Sequence, residues 1–350
     1  MRQGPGYNSP SFDPSASSMD TTNLPTITIA GSPFNDPSDG ADVVIRTADN
    51  VDFFVLKALL SLNSPSSFFR HALQASHHTE ERDGLPVLEV KEDSSTFRTI
   101  LLFCYPYKIP EIKDFAQFTK VGMALDKYCI DNALERFIEA VLASSVIKDQ
   151  PVRVFSVAVA NGWKELAETA ARNTLAMPLE PEVEFKEFRH INALQHFRLR
   201  EYHRKCGKVV QDVCVKKDHS TKMLWLGCYL KNRSGPTLEF LQSNCLRCQR
   251  CQKPLPFWID VYSREALYSA HRWLGDYLDS VAAQALQRPV SGIAPDEDII
   301  LRAIVASMSE CVHDVWAKIA ASQVRLFGKL LAEEIDKRIS EVPLNMEWTK

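Results

Sequence analysis

Residues 41–73 read ADVVIRTADNVDFFVLKALLSLNSPSSFFRHAL, and the fold turns on this stretch. Val43 and Ile45, then Phe53 and Val55, alternate at the two-residue period of a β-strand. Asp49-Asn50 lies between the runs as turn material, so the pattern predicts strand, tight connection, strand. After Val55 the alternation stops. Leu59, Leu60, Phe68, Phe69 and Leu73 fall at spacings that suit short helices, and Ser64-Pro65 offers an N-cap followed by an N1 proline.

Working outward, His77–Gly84 reads as a polar loop and PVLEV at 86–90 as a third strand. Ser94 or Ser95 can cap a helix holding Phe97, Ile100, Leu101 and Phe103. The segment FTKVGMALDKYCIDNALERFIEAVL at 118–142 closes the pattern, with helices around Phe115–Tyr128 and Asp131–Leu142.

This order resembles the BTB/POZ domain. Asp42-Val43 with Ile45 is similar to the family's opening D-V-x-[LIV], and Phe53–Lys57 with Leu59-Leu60 to its F-x-V-H-K-x-x-L. Ser64 with Phe68 or Phe69 resembles its S-x-x-F, and Leu101–Tyr105 its L-x-F-x-Y. Ala124–Tyr128 resembles its A-D-K-Y, with one additional leucine. One departure is Leu56, where the family has histidine. The resemblance implies an interaction module that self-associates through its first helix and the segment before its first strand. Carried onto this chain, those positions are Lys57, Leu59 and Leu62, with Ile27 and Ile29. It also implies an alternative role as substrate adaptor for a cullin-type ubiquitin-ligase scaffold. The matching apolar-x-Glu position is Phe97-Arg98-Thr99, where Thr99 lacks the carboxylate that would accept charge-assisted hydrogen bonds. No kelch, ankyrin or leucine-rich repeat follows, so self-association ranks above adaptation.

The expected fold is α+β: a small BTB/POZ-like sheet capped by helices, then a mostly α-helical region. Residues 1–40 are expected to be a disordered tail, 41–142 the domain, and 143–350 the helical region. Gly, Pro, Ser, Asp and Asn dominate the tail, which leaves too little apolar area to offset its ordering entropy. Within it, Leu24–Ile29 alternates, and an edge strand exchanged between subunits competes there with chance alternation in a tail. Past residue 142, Val152–Val159 and Trp163–Leu175 read as helices separated by Asn161-Gly162. Val183–Lys217 follows as a helical stretch with Phe185, Phe188, Ile191, Leu194, Phe197 and Tyr202 near helical period. Arg264–Ala285 reads as a helix. An amphipathic run from Pro295-Asp296 to about Ile339 carries Ile300, Ile304, Met308, Val312, Val315, Ile319, Leu326 and Leu330 at helical spacing. The whole arrangement is similar to a fungal type of BTB protein that carries a Y-H-x-x-C segment, here Tyr202–Cys206, and a later C-x-x-C.

Composition bounds the partners. The chain has 350 residues, 45% hydrophobic and 24% charged, enough for two or three domains with a sizeable core. A net charge of −3 gives no reason to expect nucleic acid or an anionic membrane as partner. No stretch reaches the length of a membrane helix, and no signal-peptide layout opens the chain. An intracellular location, cytoplasm or nucleus, is expected. The nine cysteines fit reduced thiols or metal ligands better than a disulfide framework.

Cys245, Cys248 and Cys251 form a C-x-x-C-x-x-C run. Such a knuckle can chelate a structural zinc if other soft ligands complete the tetrahedron. Cys206, His203, Cys228 and Cys311 are the candidates. The second pair does not repeat the spacing of a double C-x-x-C, which favours packed thiols. No G-x-S-x-G, phosphate-binding glycine loop or H-E-x-x-H is present, so no catalytic constellation is expected.

Overall fold

The computed structural model describes residues 26–62, 68–74, 80–178, 184–214, 221–223, 225–226, 255–261, 264–270, 272–310 and 314–348. The chain divides into two compact units, Met1–Leu101 and Leu102–Lys350.

The first unit holds a five-stranded sheet of β1 (Thr28–Ile29), β2 (Val43–Arg46), β3 (Val51–Val55), β4 (Glu81–Arg82) and β5 (Leu85–Glu89), in the order β1-β3-β2-β5-β4. Helices α1 (Lys57–Leu62) and α2 (Phe68–Gln74) lie between β3 and β4, and α3 (Ser94–Cys104) follows β5. The turn after β2 works as read. Asn50 adopts φ 58°, and the Thr47 N–H reaches Val51 O at 3.0 Å. Antiparallel pairing then sets Val43 against Val55, Val44 against Phe54, Ile45 against Phe53 and Arg46 against Asp52. Partners in register share a face. Phe53 therefore looks toward Phe97 of α3, with ring centroids 5.7 Å apart, and Phe69 of α2 stands 6.5 Å from Phe97.

The other face is covered too. Val44, Phe54 and Val87 form its buried cluster, with Ala41 and Leu85 packed against them. Val43, Ile45, Phe53, Val55, Leu60, Leu101 and Tyr128 are buried as the pattern requires. Leu88 is only half-buried while its neighbour Val87 is buried.

Three local expectations need correction. Residues 26–40 are not tail: β1 pairs in parallel with β3, and Phe34 is 1% exposed with its ring 6.2 Å from Phe53. The loop before the third strand contains β4, joined to β5 by Asp83-Gly84. Both turn residues have positive φ, 52° and 75°, which suits the primed hairpin turn that Asp-Gly favours. The cap of α3 is Asp93, which accepts the Thr96 N–H at 2.8 Å, rather than Ser94 or Ser95. The proposed Ser64-Pro65 start lies outside the described residues.

The second unit contains α4 (Phe115–Lys127), α5 (Asp131–Ala143), α6 (Val146–Asp149), α7 (Pro151–Ala160) and α8 (Lys164–Thr174). Asp114 caps α4 through the Gln117 N–H, and Arg136 of α5 donates to the Phe103 and Tyr105 carbonyls at the end of α3. Trp163 stands edge-on to Phe118 and Phe137, at 6.1 and 6.2 Å. Only glycine fits beside this trio, because a Cβ at Gly122 would meet Trp163 at 2.7 Å and Phe137 at 2.8 Å.

A 3-10 turn at Lys186–His190 leads to α9 (Ala193–Cys214). The apolar stripe expected here is only partly inward. Leu194 and Phe197 are exposed, and Leu199, Tyr202, His203, Cys206 and Val210 are buried.

A second sheet joins β6 (Thr221–Lys222), β7 (Leu255–Val261) and β8 (Arg264–Ala270). β8 replaces the first turns of the helix expected over Arg264–Ala285, and α10 begins at Arg272. Pairing with β7 from Leu255↔Ala270 to Val261↔Arg264 satisfies this backbone as strand, overriding its local helix propensity.

The long amphipathic run forms α11 (Glu297–Glu310) and α12 (Asp314–Ser340). Trp273 of α10 stacks on Trp316 at 6.1 Å, and Phe327 packs against Tyr277 and Trp225. Met308, expected inward, is exposed.

Truncating Phe53 removes a fully buried ring from the centre of the first unit. Phe53→Ala should destabilise the protein by about 3–5 kcal/mol, through lost transfer energy and an unfilled cavity. The measurement is denaturant unfolding followed by circular dichroism. A change within experimental error would place this strand outside the core.

Candidate functional site

The surface of the first unit is built on a buried ionic centre. Asp52 is completely buried. Its carboxylate accepts from Arg46 Nε at 2.7 Å and Nη2 at 3.0 Å, and also from Arg82 Nη1 of β4. Arg46 makes a further bond to Glu80. Asp52 raises the already high pKa of the Arg46 guanidinium further by accepting its hydrogen bonds. Asp52 O accepts the Ala30 N–H at 2.9 Å, so the same residue also anchors the chain just after β1.

Arg98 clasps that segment from α3. It donates to Gly31 O at 2.9 Å and Ser32 O at 2.5 Å, and lies 5.9 Å from the Phe34 ring centroid. Neither arrangement was found in the sequence. A signal existed for the first: an arginine and an aspartate interrupt otherwise apolar strands, VVIR and VDFFV, at positions that register pairs.

The residues expected to self-associate fall in two groups. Ile27 and Ile29 flank and end the edge strand β1 and are exposed, as is Leu62 at the end of α1, 70% accessible. Lys57 and Leu59 are half-buried, and the Lys57 N–H donates to Asp42 Oδ1 at 2.6 Å to open α1.

The expected scaffold contact does not present itself. Phe97 is fully buried between Phe53 and Phe69, and Thr99 is buried with its hydroxyl donating to Ser95 O. Both side chains serve the interior of α3, so neither offers surface to a partner.

The metal candidates divide likewise. Cys245, Cys248, Cys251, Cys228 and Cys311 lie outside the described residues. His203 Nε2 is 3.1 Å from Met177 O, and Cys206 is fully buried in contact with Tyr202. Burial pushes the Cys206 thiol up to about 11, and Cys104 and Cys214 to about 12, far from the thiolate a metal or an electrophile requires. Among the described residues no group of three or more His, Cys, Asp or Glu side chains is placed to hold a metal ion. No described helix is long and apolar enough to cross a membrane.

With the sheet, its covering helices and the α4–α5 pair in place, comparison with known families is decisive for this part of the chain. Residues 32–142 match the model of the BTB/POZ domain. The chain carries a BTB/POZ domain. Such domains are protein–protein interaction modules, and the match begins upstream of residue 41, in the segment that Arg98 clasps and Phe34 anchors. No curated protein matches the chain.

Replacing Asp52 by Asn keeps the shape but removes the charge between two arginines, leaving buried cations without their counter-ion. Asp52→Asn should cost about 3–5 kcal/mol. Thermal or denaturant unfolding checks the loss. Proteolysis near residues 26–34 should also accelerate, since β1 hangs on the same strand.

Proposed function

We propose that the chain is a self-associating scaffold: its BTB/POZ domain pairs with a second copy, and its helical region binds other proteins. The observation that carries this reading is the exposure of Ile27, Ile29 and Leu62 within the domain, at the edge strand and at the end of α1. Large aliphatic side chains in contact with water favour burial, at roughly 25 cal/mol per Å² of apolar surface. Covering them with the same patch of a second copy gives a symmetric dimer. The domain boundary that fits this reading begins near residue 26, because β1 and Phe34 belong to the packed unit.

The helical region offers a surface of its own. Leu301, Val305 and Met308 follow one another at i, i+4 and i+7 on the outer face of α11, all exposed. An adaptor role toward a cullin-type scaffold would need a surface other than Phe97 and Thr99. A structural zinc would draw on Cys245, Cys248 and Cys251. Stoichiometric zinc in elemental analysis of the pure protein supports that site, and its absence removes it.

Sedimentation velocity over a micromolar concentration series tests self-association. The wild-type chain should sediment as a dimer. Leu62→Asp, which changes a solvent-exposed side chain and leaves the core intact, should shift it to monomer while the circular dichroism spectrum is retained. A wild-type chain that stays monomeric throughout the series would overturn the proposal.

A further inference from the structure

Thr26–Ala30 reads TITIA, and its backbone faces two ways. The Thr28 N–H donates to Asn50 O and the Ala30 N–H to Asp52 O, both at 2.9 Å, on the side of β3. Successive residues of a strand turn their backbone groups to opposite sides. The N–H and C=O groups of Ile27 and Ile29 therefore point outward, along the outer side of β1 in the order β1-β3-β2-β5-β4. Their side chains share one face of the strand, and both are exposed, at 40% and 51%.

The two edges of this sheet differ in chemistry. β4 ends the far side with Glu81 and Arg82, and charged residues on an edge oppose pairing with another strand. Thr26–Ala30 carries neither charge nor proline, so its side chains do not guard its edge in that way. The segment is also fastened to its own subunit. Arg98 holds the Gly31 and Ser32 carbonyls, the Phe34 ring is buried beside Phe53, and Phe34 O accepts the Phe54 N–H at 3.0 Å.

We propose that two copies join edge to edge through β1, antiparallel about a two-fold axis at Thr28, with each strand staying in its own sheet. This geometry rests on the self-association reading above and specifies how the second copy is engaged. The segment is self-complementary in that arrangement. Ile27 stands opposite the partner subunit's Ile29, and Ile29 opposite the partner subunit's Ile27. These are the residues whose N–H and C=O groups face outward, so each pair exchanges two hydrogen bonds. Thr28, whose N–H faces β3, meets its own copy in the non-hydrogen-bonded position between them. All four isoleucines then lie on one face as cross-strand pairs of β-branched side chains. The two five-stranded sheets become one, ended on both sides by β4. The contact is isologous and closed, a pair rather than a fibre.

Sedimentation velocity of the full-length chain over a micromolar series, with peptide mapping of cross-links, tests this geometry. Ile29→Pro removes the outward N–H while keeping an apolar side chain and both inward donors. It should weaken dimerisation by roughly tenfold or more with the circular dichroism spectrum retained, whereas Ile29→Val, which keeps the N–H, should stay within about twofold of wild type. Thr28→Cys sets two thiols across the axis, in a pair whose Cα atoms stand about 4.5 Å apart, within reach of a disulfide. Mild oxidation should then join the copies through position 28 of each chain, identified by mass spectrometry of the linked peptides. A dimeric wild type whose association Ile29→Pro leaves intact, or a dimeric Thr28→Cys protein that does not cross-link through position 28, would overturn the edge pairing and leave the self-association reading standing. A monomeric wild type would overturn both. If Ile29→Pro does not fold, the cross-link decides.

Discussion

A carboxylate with no exposure to water sits in the middle of the first sheet, and the geometry of that sheet depends on it. Asp52 is tolerable there because Arg46 grips it through two nitrogens and Arg82 through a third. A buried charge without such partners would cost several kcal/mol. The requirement runs outward. Arg46 must stand opposite Asp52, which sets the β2–β3 register. Arg82 must reach across from β4, which fixes the small hairpin beside β5. The backbone of Asp52 holds the chain at Ala30. A one-residue slip would turn the whole aliphatic set to the wrong face and separate these charges as well. Hydrophobic alternation and ion pairing therefore specify the same register by independent means.

The second unit has a different organising constraint, the packing of large rings against small residues. Trp163 reaches Phe118 and Phe137 only because Gly122 leaves room. Farther along, α12 comes close to Ala294 O and the Tyr277 hydroxyl at Gly328, where a Cβ would stand 3.1 and 3.3 Å from them. Tyr277 donates to that same Ala294 oxygen at 2.7 Å, so the close approach also satisfies a buried polar group. Tight packing of this kind resists gradual deformation.

The chemistry of the buried thiols and imidazoles points the same way as the packing. Cys104, Cys206 and Cys214 are held protonated by burial, and His203 is committed to a backbone carbonyl. These groups act as packed or hydrogen-bonded interior side chains. Exposed aliphatic side chains occur on both units: Ile27, Ile29 and Leu62 on the first, and the α11 stripe among those of the second. Both suit protein partners, which is the use to which BTB/POZ domains are put.

The sequence by itself determined the elements whose signal is local. The Asp49-Asn50 turn, the alternation around it, the Asn161-Gly162 helix stop and the motif order from Asp42 to Tyr128 were all legible, because each depends on neighbours within a few residues. What only the tertiary structure decided depends on residues far apart in the chain. β1 and Phe34 looked like tail because their partners, Asp52 and Arg98, lie about twenty and seventy residues away. Arg264–Ala270 became a strand because β7 offered a ladder that its own composition does not announce. Phe97 matched a surface motif by position, yet the aromatic packing of Phe53 and Phe69 drew its ring inward. His203 and Cys206 were candidate ligands in the sequence, with packed thiols the favoured reading. The carbonyl of Met177 and the hydroxyl of Tyr202, brought near by the fold, made them interior groups, because a buried polar atom takes the partner that packing places beside it.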